Sequence, residues 1–279
     1  MAVTMKESKK ILQIDVEKVI RSKSEKLARK VPRFVINYLK RIIHQDELND
    51  ILLRRGEATG VDFATEMVDE FNIRYNIHSK TELDPTKRYI FVSNHPLGGM
   101  DGIVLISYLG QKFDNKVRFV VNDLLMHIEP LKPVFVPVNK YGKMKHQSTN
   151  LFNEAFESEN QILYFPAGLC SRLIKGEIKD LEWKKTFVTK AIDSQRDIVP
   201  MYFSGRNSGF FYRLANFRKW LGIKFNIETL YLPDEMFKNK GKTFDLYIGE
   251  PIPFEQLNDG THHKEWCRKI REKCYNLPK

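Results

Sequence analysis

The sequence has few cysteines, no long apolar run and no ligand spacing of a zinc site. Cys170, Cys267 and Cys274 are its only three cysteines. They are too few and too scattered for a disulfide framework, which fits a reducing compartment. No uninterrupted apolar stretch approaches the ~18 residues of a spanning helix. The opening MAVTMKESKK lacks the apolar centre of a signal peptide. The expected setting is therefore cytoplasmic, with room for a protein that rests on a membrane face. His262, His263, Cys267 and Cys274 lack the close pairs of a zinc site, so no metal is expected and a fortuitous helix face is preferred. There is no internal repeat and no low-complexity linker. There is also no nucleic-acid motif or aromatic stacking platform, so no nucleic-acid partner is expected.

What is present is an ordinary globular composition, 42% hydrophobic and 29% charged over 279 residues, with a net charge of +11. The charge is concentrated at the start. Residues 1–45 hold twelve Lys/Arg against four Asp/Glu. Such a segment attracts polyanions, either nucleic acid or an anionic bilayer. From Pro32, Val35, Leu39, Ile42 and Ile43 recur at helical spacing among Arg33, Lys40, Arg41 and His44. This basic amphipathic helix either lies in a membrane interface or packs on the domain core.

From about residue 85 the pattern changes. RYIFVSN (88–94), VRFVVND (117–123), VFVPVN (134–139), QILYFPAG (161–168), DIVPMYFSG (197–205), FNIETLYL (225–232) and FDLYIGEPI (244–252) read as strands. Helical stretches at 102–110, 145–158, 182–195, 210–221 and 261–276 alternate with them. That order predicts an α/β fold: a mixed, mostly parallel sheet flanked by helices, behind an N-terminal helical segment. The expected organisation is a basic helical segment over 1–80 and an α/β domain over 81–279, forming one continuous unit.

Sites in open α/β sheets form beyond the carboxyl ends of strands. Three strand ends here have chemical character. The first is Asn94-His95-Pro96-Leu97-Gly98-Gly99-Met100-Asp101. A histidine can take a proton at neutral pH, and an aspartate can hold its other ring nitrogen. With no G-x-S-x-G nucleophile, the simplest chemistry is activation of a substrate hydroxyl. The alternative is a helix cap with turn-forming glycines. The second is Phe165-Pro166-Ala167-Gly168-Leu169-Cys170-Ser171-Arg172, whose turn amides and guanidinium suit an anion. The third, Ile198-Val199-Pro200, shapes a pocket wall. Cys170 is read as a small buried hydrophobe rather than an acyl acceptor. Trp183-Lys184-Lys185 either line a substrate path or open a solvated helix. Arg206, Asn207 and Ser208 can reach the site from its rim. Phe210, Phe211 and Tyr212 line an acyl tunnel or pack the core.

Taken together, Asn94-His95 with Asp101, Phe135 in VFVPVN, Phe165-Pro166-x-Gly168 and Ile198-Val199-Pro200 resemble the four ordered blocks of the phospholipid/glycerol acyltransferase family. Those blocks are N-H-x-x-x-x-D, G-x-x-F-I-x-R, F-P-E-G-T-R-S and V-P-I-V-P, and the resemblance covers about residues 85–205. It implies a glycerolipid acyltransferase-like fold, His95 as base and Asp101 as its orienter. The acyl donor would be a thioester of acyl carrier protein or coenzyme A, used as co-substrate with no tightly bound cofactor. Substrate contacts are expected from Asn94, Gly98 and Gly99, from Phe135, Asn139 and Lys140, from Phe165, Pro166, Gly168, Ser171 and Arg172, and from Pro200.

The chain departs from the blocks in three places. Five residues, not four, separate His95 from Asp101, an excess that a bulge at Gly98-Gly99 would absorb. Ala167 replaces the glutamate, with Arg172 displaced from the arginine position. Val138, followed by Asn139 and Lys140, replaces the second-block arginine. A pocket without those charges should hold a phosphomonoester poorly. NHPLGGMDG, VNDLLM and FPAGLCSR further resemble a hemolysin-like branch that includes O-acyltransferases of lyso-ornithine and lyso-glycine lipids. The expected acceptor is thus a lyso-amino-acid lipid on an anionic inner membrane face, in membrane lipid biosynthesis. A 1-acylglycerol-3-phosphate acyltransferase and a thioesterase or lipase using the same pair are the alternatives.

Overall fold

The computed structural model describes residues 13–23, 25, 31–138 and 145–279. The chain divides into two compact units, one ending at Glu57 and one running Ala58–Lys279. The division lies at Glu57/Ala58 rather than near residue 80.

Among its described residues the first unit holds α1 (Val16–Lys23), α2 (Arg33–Ile43) and α3 (Gln45–Arg55). Pro32 sits at the N-cap of α2 in extended conformation, which its fixed φ allows. His44, in the left-handed region at φ 54°, turns the chain from α2 into α3. Asn49 bonds both backbone groups of Ile14, at 2.7 and 2.9 Å, and so ties the entry of α1 to α3. Ile42 of the expected apolar stripe is buried, whereas Phe34 and Tyr38 are exposed.

The second unit contains α4 (Gly60–Glu70), β1 (Arg74–Ser79), β2 (Tyr89–Ser93), α5 (Met100–Lys112), β3 (Val117–Asn122), β4 (Phe135–Val138), α6 (Lys145–Glu157), β5 (Gln161–Tyr164), β6 (Arg172–Ile174), β7 (Glu177–Lys179), α7 (Thr186–Asp193), β8 (Asp197–Phe203), α8 (Gly209–Trp220), α9 (Leu232–Lys238), β9 (Thr243–Ile248) and α10 (His263–Asn276). The seven-stranded sheet runs β1-β9-β8-β2-β5-β3-β4. Every pairing is parallel except β8 with β9. The α/β, mixed and mostly parallel architecture is the expected one.

All five residues of β2 are buried, because both sheet faces are covered. Ile90 and Val92 point into a core with Phe156 of α6, Phe187 and Val188 of α7 and Ile270 of α10. Tyr89 and Phe91 pack on the opposite side with Phe113. Buried Arg196, just before β8, donates to the carbonyls of Phe156, Ser158 and Asn160 and so fixes the turn between α6 and β5.

Three expectations are corrected. FNIETLYL is not a strand but a 3-10 turn, Ile227–Tyr231, followed by α9 with Pro233 in its first turn. The β1 strand lies inside the expected helical segment. Its residues are mostly exposed, so no apolar pattern marked it. The β6–β7 hairpin was also unanticipated. Its turn uses Lys175 and Gly176, both at positive φ, a two-residue arrangement that matches strand twist.

Candidate active site

Strands β8, β2 and β5 are adjacent and parallel, so their carboxyl ends meet on one edge of the sheet. The loops leaving them are 94–99, 165–171 and 204–208. The first two of the sequence's candidate stretches therefore meet, joined by the loop after β8, whereas the third, 198–200, lies inside β8.

Within the first loop, His95 Nδ1 lies 2.9 Å from Asp101 Oδ2. Asp101 occupies the first turn of α5 and is fully buried. It accepts backbone N–H groups from Leu97 (2.9 Å), Gly98 (3.4 Å), Gly99 (3.1 Å) and Gly102 (3.0 Å). Burial would raise its pKa. The His95 charge and hydrogen bond and the Leu97 and Gly102 amides outweigh burial and hold the carboxyl below its ordinary value. A carboxylate so held keeps its charge and fixes the imidazole tautomer with Nε2 open as a base.

The extra residue is absorbed at Gly98, whose φ is +79°. A Cβ there would stand 2.8 Å from Leu232 Cδ2 and 3.1 Å from Cys170, so the position excludes a side chain on two grounds. The ring of His95 is 15% exposed. Phe165 stacks against it with centroids 4.0 Å apart and planes 19° apart. Phe119 meets Phe165 edge-on at 5.3 Å, and Phe135 meets Phe119 at 5.9 Å. Phe135 thus reaches the histidine through two intervening rings.

A second buried carboxylate lies under this loop. Asp180 accepts the His95 backbone N–H (3.2 Å), the Ser171 hydroxyl (2.6 Å) and the Trp183 indole (2.9 Å). Tyr275 Oη accepts its backbone N–H at 2.8 Å, and Arg271 donates to its carbonyl at 3.0 Å. Burial pushes its pKa up against the Ser171 and Trp183 hydrogen bonds. Asp180 fastens the histidine loop to the third block, and nothing local in the sequence marks it for that position.

Several expected substrate contacts turn out to be occupied within the protein. Asn94 is a clamp: its Oδ1 accepts from Phe203 N at 2.7 Å and its Nδ2 donates to Phe203 O at 2.9 Å, joining β2 to the end of β8. The Gly98 and Gly99 amides are directed at Asp101. Ser171 bonds Asp180 and the His95 carbonyl. Arg172 is buried, donates to the Cys170 carbonyl and sulfur, and pairs with Glu228 at 2.9 Å. Arg218 Nε lies 2.8 Å from the other Glu228 oxygen but off the hydrogen-bonding line. The Arg172 charge is therefore neutralised internally, contrary to a free anion-binding role. Pro200 lies within the sheet, paired with Val92, rather than at the dyad. Asn139 and Lys140 lie outside the described residues.

The remaining residues sort by burial. Phe165, Pro166 and Ala167 are buried, and Gly168 is exposed at φ +67°. Lys184 Nζ would lie 3.3 Å from a Cβ at Gly168, which puts its amine over that turn. Trp183 is core. Burial pushes the Cys170 thiol up to about 11, which disfavours an acyl-accepting thiolate. Cys267 and Cys274 line the inner face of α10, and His262 caps that helix. Among the described residues no group of three or more His, Cys, Asp or Glu could hold a metal ion. Arg206 is exposed, and Ser208 caps α8 and bonds Glu235. Asn207 is buried with both side-chain amide atoms unpartnered among the described residues.

A family model described as Acyltransferase matches residues 18–279. A "Lyso-glycine lipid O-acyltransferase" of Phocaeicola vulgatus is 48% identical over 267 residues, covering 96% of each chain. A protein of the same name from Bacteroides thetaiotaomicron is 46% identical over 264 residues, covering 95% of this chain and 97% of its own. A solved structure, the 1-acyl-sn-glycerophosphate (LPA) acyltransferase PlsC of Thermotoga maritima, is similar over 86% of this chain and 90% of its own, at 14% identity and TM-score 0.47. On the extent of the family match and the near-full-length relatives, the chain belongs to the acyltransferase family that its four sequence blocks resemble.

Proposed function

We propose that this acyltransferase moves a fatty acyl group from a thioester, of acyl carrier protein or coenzyme A, to a hydroxyl of a lyso-glycine lipid. The observation that carries the reading is the His95–Asp101 pair at the strand-end edge, with Nδ1 held by the carboxylate and the ring partly exposed. His95 Nε2 takes the acceptor hydroxyl's proton as the oxygen attacks the thioester carbonyl. The tetrahedral intermediate collapses, the C–S bond breaks, and the imidazolium returns the proton to the departing thiolate. Asp101 stabilises the imidazolium in between. The acceptor assignment draws on the two relatives and on the pairing of Arg172 with Glu228. With that charge neutralised, a head group bearing one carboxylate asks less of the site than a phosphate dianion.

The test incubates the protein with acyl carrier protein or coenzyme A thioesters and a panel of lyso-lipids, beside the His95→Ala variant. Transfer to lyso-glycine lipid by wild type, with a loss of about 10²–10⁴ in the variant, is expected. A preference for lysophosphatidic acid would overturn the acceptor. Acyl release without any acceptor would make the protein a thioesterase.

A further inference from the structure

Helix α8 carries aromatic side chains on two opposite faces. Phe211, Tyr212 and Ala215 are buried, and Phe211 and Tyr212 cluster with Cys170 beside the histidine loop. Phe210, Arg213, Phe217 and Trp220, spaced by three and four, form the outward stripe. Phe217 is 55% and Trp220 78% exposed, with ring centroids 5.8 Å apart. Beyond the helix, Leu221, Ile223 and Phe225 are exposed as well, Phe225 at 63%. Large apolar side chains grouped in this way on a surface mark a binding face rather than solvated residues.

The charge carried by this stretch of chain is of one sign. From Asp197 to Glu228 no acidic residue intervenes, whereas Arg206, Arg213, Arg218, Lys219 and Lys224 all fall between them. Arg206, Arg213, Lys219 and Lys224 are exposed. Arg218 instead donates to the Ile223 carbonyl at 2.7 Å and faces Glu228, which pins the loop after the helix in its projecting position.

We propose that residues 210–225 form a docking surface for an anionic lipid bilayer, an inference that rests on the reading of the protein as a lipid acyltransferase. The aromatic side chains enter the boundary between headgroups and acyl chains, and the segment's three exposed cations, Arg213, Lys219 and Lys224, lie against anionic headgroups. Tryptophan suits that boundary because its ring is apolar and its N–H polar. A second copy is a poorer occupant, since a two-fold contact would set the same cations against each other. An acidic carrier protein would match the cations and leave the aromatic stripe unexplained. Docking here puts the Cys170 loop roughly one helix diameter, ~10 Å, from the surface that holds a lipid acceptor.

The test uses the full chain with phosphatidylcholine vesicles, with and without phosphatidylglycerol. Trp183 is buried and Trp266 half-buried, so Trp220 is the tryptophan whose surroundings should change. A blue shift of emission on adding anionic vesicles, lost in Trp220→Phe, is expected. Phe217→Ser/Trp220→Ser/Phe225→Ser should weaken vesicle binding at least tenfold, and Lys219→Glu/Lys224→Glu should weaken it and flatten its salt dependence. The serine variant should melt as wild type, keep turnover on short-chain substrates dissolved below their micelle threshold, and lose turnover on vesicle-embedded acceptor. An unshifted emission with unchanged binding overturns the proposal. So does a wild-type dimer that the serine variant dissociates, or a loss confined to an acidic carrier protein. Loss of turnover on both substrate forms in a normally melting variant would assign the face to the substrate pocket instead. Absence of wild-type turnover on either form sinks the functional reading, while the emission and binding measurements still decide the docking.

Discussion

Asp101 is held by more donors than a helix-start aspartate needs. Two oxygens receive four backbone N–H groups and the histidine, so no amide-bearing replacement fits. Asp101→Asn sets an NH2 against one pair of those donors and removes the charge. We expect kcat to fall by about 10³–10⁴; steady-state acyl transfer checks this, and a loss below tenfold would mean His95 does not depend on Asp101. The depressed Asp101 pKa also bears on acid stability. The contribution is present above the unfolded value of about 3.9 and is lost as pH falls further, through the lower folded value. Acid unfolding of Asp101→Asn should accordingly be flatter below about pH 4 than that of wild type. At Gly98, alanine meets both a left-handed backbone and the Leu232 and Cys170 side chains. Gly98→Ala should cost roughly 1–3 kcal/mol in thermal unfolding and lower activity beyond that, because the bulge is what returns Asp101 to His95.

At the scale of elements, three parallel strand ends are locked together by side chains rather than by sheet hydrogen bonds alone. Asn94 clamps β2 to β8, Asp180 fastens the β2 loop to the β5 loop, and Glu228 gathers Arg172 and Arg218. Glu228 is fully buried between two guanidinium groups. Glu228→Gln leaves two cations without their counter-charge, and urea unfolding should show a loss of about 3–5 kcal/mol. This pairing also explains why 225–232, apolar enough to resemble a strand, is not one. A strand would turn alternate residues to opposite faces, whereas here Glu228 must reach Arg172 and Pro233 must open α9.

At the scale of the molecule, charge is distributed unevenly. The surplus over residues 1–45 predicts long-range attraction to anionic lipid, screened beyond about 8–10 Å by physiological salt. Lys6→Gln/Lys9→Gln/Lys10→Gln should weaken binding to anionic vesicles by about 1 kcal/mol per residue and reduce its salt dependence. Sedimentation across a salt series checks this, and an unchanged slope removes the segment from docking. No helix among the described residues is long and apolar enough to cross a membrane.

The sequence by itself determined the parallel core, because Val-, Ile- and Phe-rich runs such as Ile90–Val92 and Ile198–Val199 have to be buried on both faces. It also determined the order of the four blocks, and it pointed to His95 and Asp101, only six residues apart. Tertiary structure decided what those blocks do for one another. Asp180 lies 85 residues from His95 and Glu228 lies 56 from Arg172. No local pattern couples residues so far apart, and their meeting follows from which strands are neighbours in the sheet. The same reason moved Asn94, Ser171 and Arg172 from expected substrate contacts to internal partners. A buried polar group must find its hydrogen bonds somewhere, and only the folded chain shows that these groups had already found theirs.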